Sequence, residues 1–225
     1  MRMGRLILWD MKFQMKYGFY FLYAVLTVVY LILLSALPES WRGRTAAILI
    51  FSDPAAMGLF FMGAIVLLEK SQRVPCALAV SPIRAGEYVA AKLVSLSVVS
   101  LLVAAVIAIA AGTEHIILVL LGTALAGASF TLLGIIIASK IGSLNQFILA
   151  TLPVEILGFV PVLLHLFGVA PWLKYYPFSC CMDLIAGKQP SAAGIVMMVI
   201  LLILLWIFSL RCVLKMWRSL GGVKL

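Results

Sequence analysis

Charge is scarce in this sequence. Asp and Glu together number 8 and Lys and Arg 17 in 225 residues, so ionic side chains make up only 11% of the chain. Soluble chains carry about 25%. The usual chemical signatures are absent as well. No GxxxxGK[ST] loop cradles a phosphate, and no Gly-x-Ser-x-Gly or His-Glu-x-x-His is present. The four cysteines, Cys76, Cys180, Cys181 and Cys212, form no CxxC pair and show no zinc-ligand spacing, so they read as small apolar fillers. These gaps exclude nucleotide hydrolysis by the chain itself, the common hydrolase sites and a structural metal. The net charge of +9 is not arranged as a basic stripe interleaved with aromatics, which sets nucleic acid aside.

What fills the sequence is hydrocarbon. Apolar residues make up 65% of it, and its mean hydropathy is +1.20. A soluble fold of this length cannot bury so much apolar surface, whereas a bilayer accepts it. The apolar runs approach the roughly 20 residues that a helix needs to cross about 30 Å of lipid. They do not alternate with polar residues, as a membrane β-barrel would require. Six runs are predicted to span: 17–37, 54–68, 93–111, 116–139, 146–166 and 194–210. Asp53-Pro54 looks like the opening of the second, an N-cap acid followed by Pro at the first helical position. Pro153 and Pro161 interrupt the fifth. The first run is too long for a signal-peptide core and no A-x-A site follows it, so it reads as a retained helix.

Basic residues orient the spans. Arg2, Arg5, Lys12 and Lys16 precede the first. Lys70, Arg73, Arg84 and Lys92 follow the second, Lys140 follows the fourth, and Arg211, Lys215, Arg218 and Lys224 follow the sixth. The other side holds only Arg42, Arg44, Lys174 and Lys188. The side with thirteen is expected to be cytoplasmic. An even number of crossings then places both termini there, in a bacterial cytoplasmic membrane. At about 100° per residue, the four bases of segment 1–16 share one narrow face. This suggests an amphipathic helix lying on the inner membrane surface, or else a plain basic tail. Asp10 and Gln14 fall on its apolar side and Trp9 among the bases, so the separation is imperfect. The fourth run is rich in small residues, with Gly122/Ala126 and Gly134/Ala138 at small-xxx-small spacing, and is expected to pack inside the protomer.

Two places invite a functional reading. Glu155 stands about ten residues into the fifth run, roughly 15 Å deep. An intramembrane acid either lines a path or is held, protonated, by a neighbouring helix. The loop 69–92, EKSQRVPCALAVSPIRAGEYVAAK, carries a short apolar helix at 74–80 that Ser81-Pro82 stops. Val74, Ala77 and Leu78 at i, i+3 and i+4 can share a face and fill a groove on a partner. Glu69, Lys70 and Arg73 can ring such a contact with ion pairs. Lys92 can anchor the returning helix.

The order of features in this loop is an acid closing the second helix, a short helix, Ser81-Pro82 with Arg84 shortly after, then Glu87-Tyr88 and Lys92. That order resembles the permeases of type-2 ABC exporters, most closely the small permeases of fluoroquinolone export. The resemblance extends through FFMGAIVLLEK (60–70), EYVAAKL (87–93), NQFILATLP (145–153) and PWLKYYP (171–177).

The resemblance implies an all-α integral membrane protein, a single transmembrane domain over 1–225. It would have an interface helix at 1–16, a cytoplasmic coupling loop at 69–92 with its coupling helix within 72–80, and an outer loop at 168–192 with short re-entrant helices about 171–187. It further implies two facing permease protomers, identical or related, above two ABC ATPase subunits that hold the ATP and Mg. No cofactor is expected on this chain. The expected coupling residues are Glu69, Lys70, Arg73, Val74, Ala77, Leu78, Arg84 and Glu87. Helices two and five would line the path, which brings in Phe60, Phe61, Phe147, Glu155 and Phe159 and suits a small amphiphilic or drug-like molecule, or a lipid. Two other classes compete. A secondary transporter or channel would pair intramembrane charges or repeat broken helices, and an intramembrane enzyme would converge several polar groups at one depth.

Overall fold

The computed structural model describes residues 2–220, and for residues 2, 54–56 and 220 only their placement in helices. Lys224, counted above with the basic tail, lies outside the described residues. There are nine α-helices and no strand among those described. In chain order they are α1 (Arg2–Lys16), α2 (Phe19–Ala36), α3 (Glu39–Ser71), α4 (Val74–Ala79), α5 (Ala85–Ala110), α6 (Ile116–Lys140), α7 (Leu144–Leu166), α8 (Pro177–Ile185) and α9 (Ala192–Leu220). A 3-10 turn, Pro171–Tyr175, precedes α8. Six of them, α2, α3, α5, α6, α7 and α9, are long and apolar enough to cross a membrane. The protein is an all-α, multi-pass membrane protein.

The largest departure from the sequence reading is α3. It opens at Glu39, directly after Pro38, and runs unbroken for 33 residues through position 54. Asp53 is therefore not a cap but a mid-helix residue. The local N-terminal signal loses because the preceding segment, TAAILIFS, is itself apolar and helix-compatible, and because its Ala46, Ala47, Ile50 and Phe51 are core residues, each 1–2% exposed. Tertiary burial outweighs the hydrogen bond that Pro removes. The fifth span likewise stays helical through Pro153 and Pro161. At its basic end α9 extends past 210, so Arg211, Lys215 and Arg218 ride on the same helix. Between α1 and α2 the chain turns at Gly18, whose φ of 76° favours glycine.

The small-residue helix α6 is the hub, packed on α3, α5, α8 and α9. Its glycines are where other backbones pass. A Cβ at Gly134 would stand 2.7 Å from the carbonyl oxygen of Leu59 on α3. One at Gly122 would stand 2.7 Å from the carbonyl oxygen of Cys181 on α8. In lipid, where the hydrophobic effect between helices is absent, such approach is what van der Waals packing requires.

Two apolar clusters fill the protomer. One joins Phe51, Phe130, Val162 and Phe178, and the other Met62, Tyr88, Ile135, Phe147 and Trp217 nearer α1 and α4. By contrast α2, α7 and α9 are mostly exposed along their spans.

The packing at Gly134 yields a direct test. Gly134→Ala must push α3 and α6 apart, at a cost of about 1–3 kcal/mol. A lowered Tm in lipid is expected, while Gly142→Ala, where a Cβ meets nothing within 4 Å, leaves Tm unchanged.

Candidate functional site

At the end of the molecule where α1, α4 and the last turns of α3 and α9 gather, four ionisable groups from three helices meet out of solvent. The Lys92 ammonium of α5 donates to Asp10 Oδ1 of α1 at 2.8 Å and to Glu69 Oε1 of α3 at 2.7 Å. The Tyr88 hydroxyl, one turn before Lys92, donates to Glu69 Oε2 at 2.6 Å. Ser95 Oγ donates to Asp10 Oδ2. The Gln14 amide donates to Asp10 Oδ2 at 3.2 Å and to Ser95 Oγ at 3.0 Å. Lys92, Glu69 and Asp10 are 2%, 1% and 3% exposed. The Lys92 ammonium also lies 4.9 Å from the centre of the Tyr88 ring, and Trp217 of α9 covers the same ring edge-on at 5.6 Å.

Helical spacing explains how one short stretch supplies so much. Tyr88, Lys92 and Ser95 stand at i, i+4 and i+7 on one face of α5. Asp10 and Gln14, at i and i+4, face them from α1. The two residues that blur the amphipathic pattern of α1 are thus its attachment to the protein. Its bases Arg5, Lys12 and Lys16 remain exposed on the far side. Beside the cluster is a cavity of about 210 Å³, lined by Leu6 and Trp9 of α1, Val74 and Leu78 of α4, Ala91, and the cluster residues themselves. It separates α4 from α1 without filling the gap between them.

The expected coupling residues divide into three sets. Glu69 turns inward, as does Lys70, whose ammonium donates to the carbonyls of Ala138, Ser139 and Ile141 at 2.7, 3.0 and 2.8 Å. It thereby caps the C-terminus of α6, where a cation is favoured. Neither is free to ring an outside contact. Val74 and Leu78 are half-buried toward the cavity, whereas Ala77 is exposed, so the three do not share one outward face. Glu87 accepts from the Arg84 backbone N–H at 2.8 Å and caps α5. Outward from α4 and the two residues that flank it stand Arg73, Ala77 and Val80, with Val80 79% exposed. Arg73, at φ 57°, holds the left-handed turn that starts α4. Arg84 is exposed nearby.

Among the expected path residues, Phe60, Phe61 and Phe159 are partly buried against the core. Phe147 is fully buried, and its ring fills the space a Cβ at Gly63 would need, 1.8 Å away. Phe60 packs against it, Phe61 against Phe19 and Tyr23, and Phe159 against Phe51 and Phe130. Glu155 is half-buried on α7, next to the exposed Ile156 and Leu157. Its carboxylate has no hydrogen bond or ion pair with another described residue.

At the opposite end His165 Nε2 and Asp183 Oδ1 approach to 2.9 Å and tie α7 to α8. Cys180 and Cys181 are buried there, and burial pushes both thiols up, which keeps them protonated. The described residues contain no group of three or more His, Cys, Asp or Glu that could hold a metal ion.

Residues 1–217 match the family model described as the Fluoroquinolones export permease protein family. The chain belongs to this family. Two curated relatives, both fluoroquinolones export permease proteins from strains of Mycobacterium tuberculosis, are 32% identical to it over 147 residues. That alignment covers 64% of this chain and 62% of each relative, so the match spans less than two thirds of their length. The six apolar helices fit a family of permeases.

The ion cluster makes a prediction. Lys92→Met leaves two carboxylates buried without their cation, and removing one partner from such a group costs about 3–5 kcal/mol. A large drop in Tm is expected in lipid. The triple change Asp10→Asn, Glu69→Gln, Lys92→Met removes the charges together and is expected to recover most of it.

Proposed function

We propose that this permease is the membrane subunit of an ATP-driven ABC exporter of the bacterial cytoplasmic membrane, with both termini cytoplasmic. Two protomers, identical or related, face each other above two ATPase subunits, which hold the ATP and Mg. The cargo is a small amphiphilic or drug-like molecule, or a lipid; the fluoroquinolones in the relatives' names have that chemistry.

The observation that carries this reading is the seating of α4. It is a helix of six residues, too short to be stable alone. It is held on α3 and α9 and lies against the cavity beside the buried ion cluster. The outward set of Arg73, Ala77 and Val80 is small and apolar with a basic edge. Pressed by a soluble partner, such an element transmits load to α3 and α5 through the buried Glu69–Lys92 pair, because Glu69 stands in the last turn of α3 and Lys92 within the first three turns of α5. Glu155, on the open side of α7, is where the cargo or the facing protomer would meet a carboxylate.

Coupling through α4 predicts that Val80→Asp and Ala77→Asp abolish copurification with the ATPase. Each would bury an unpaired charge at the contact while leaving Tm unchanged, since both positions are exposed. Leu78→Asp, facing the cavity, is expected to lower Tm as well. A Val80→Asp protein that copurifies and transports at the wild-type rate contradicts the coupling role. Topology is tested by introduced cysteines. The native Cys180 and Cys181 are buried, so Gln189→Cys, on an exposed loop residue, should react with an impermeant thiol reagent on intact cells. Val80→Cys should react only after lysis, and the reverse pattern overturns the orientation.

A further inference from the structure

The second unusual acid is not at either end of the molecule. Asp53 stands 14 residues after Glu39 and 16 before Glu69 on the unbroken α3, so roughly 20–25 Å from each along the axis. That is the middle of a helix long and apolar enough to span a membrane, far from both of its ends. It is 2% exposed, and both carboxylate oxygens are buried with no hydrogen-bond partner among the described residues.

The groups around it are neutral. From α2 the titratable side chains acting on it are Tyr23 and Tyr30, and the Tyr23 hydroxyl is itself buried and unpartnered. From α5 the polar side chain acting on Tyr23 is Ser100. From α4, α6, α7 and α8, also packed on α3, no charged group acts on Asp53 among the described residues. On α3 itself the nearest base upstream is Arg44, nine residues away and roughly 14 Å along the axis. On the same helix Ile50 and Met57, at i−3 and i+4, share its face and are 2% and 6% exposed. An isolated carboxylate in such a place is prohibitively costly, and the group keeps a proton instead.

We propose that Asp53 is a proton-binding site in the membrane core, filled while α2, α3 and α5 are packed together and emptied when they part and water reaches it. The step is a plain ionisation: the carboxylic O–H breaks, the proton leaves to water and the carboxylate stays on α3. Closing the helices again requires a proton to be taken back. Low pH therefore favours the packed arrangement. The stability contributed by the neutral acid is present at acid pH and lost as pH rises. Neither ATP coupling nor a particular cargo is needed for this, so its failure and that of the transport reading are separate.

The experiment uses the full chain in lipid vesicles. Infrared spectra at about pH 7, where ordinary carboxyls with pKa near 4 are ionised, should show a protonated-carboxyl C=O band in the wild type that Asp53→Asn removes. Asparagine imitates the neutral acid, so Asp53→Asn should keep the wild-type Tm at acid pH and lose the decline in Tm that the wild type shows on raising the pH. Asp53→Ala, which leaves a void, should lower Tm at every pH. A wild-type minus Asp53→Asn difference spectrum with no protonated-carboxyl band, or a pH dependence of Tm identical in wild type and Asp53→Asn, overturns the assignment. If Asp53→Asn itself fails to fold, Asp53→Glu serves instead: it should retain the band at a shifted frequency, and an unshifted band overturns the proposal.

Discussion

One ammonium holds the basic end of this protein together. Lys92 of α5 binds an acid from α1 and another from α3, so three helices are joined at one atom. A buried ion pair is a poor source of net stability, because desolvating the charges offsets most of their attraction. What it supplies is uniqueness of arrangement. Any slip of α1 along α5 by one turn strands a carboxylate in a dry site. The polar surroundings of Tyr88, Ser95 and Gln14 make that penalty steeper by fixing which oxygen faces which donor. The helix α1 is thereby an integral part of the fold.

The rest of the fold is arranged around backbone approach. With lipid outside, helices gain little by hiding hydrocarbon from one another, and α6 instead brings its glycines to within contact of the α3 and α8 main chains. This produces a dense centre in α6, α3 and α5, while α2, α7 and α9 stay largely open. The open helices are those a second protomer or lipid must cover.

Much of this was readable from sequence. The number of spans, the short helix after the second, the inward placement of the small-residue helix and the family all follow from hydropathy, Pro and Gly positions and motif order. The misreadings share a cause. Asp53-Pro54 carries a genuine helix-start signal, but burial of the residues before it overrides a local preference. Glu69 and Lys70, at the edge of an apolar run, look like surface charges, and no periodicity reveals that their partners are Lys92 and the end of α6. Asp10 and Gln14 did leave a trace: the lone acid among the bases of α1, and its i+4 neighbour, both sit on the wrong side of the helical wheel. A polar pair on an apolar face signals a polar partner elsewhere, yet the sequence alone cannot say that the partner is 82 residues away.

The unbroken course of α3 has a consequence for how this protein can vary. A helix fixes rotation as well as length: each inserted or deleted residue turns everything beyond it by about 100°. Asp53, Gly63 and Glu69 each address a different neighbour from the same rod, so their angular phase is locked. Loops at either end can grow or shrink freely, but a single-residue change inside α3 would swing Glu69 away from Lys92 or Asp53 out toward lipid. Sequence drift in this segment is confined to substitution.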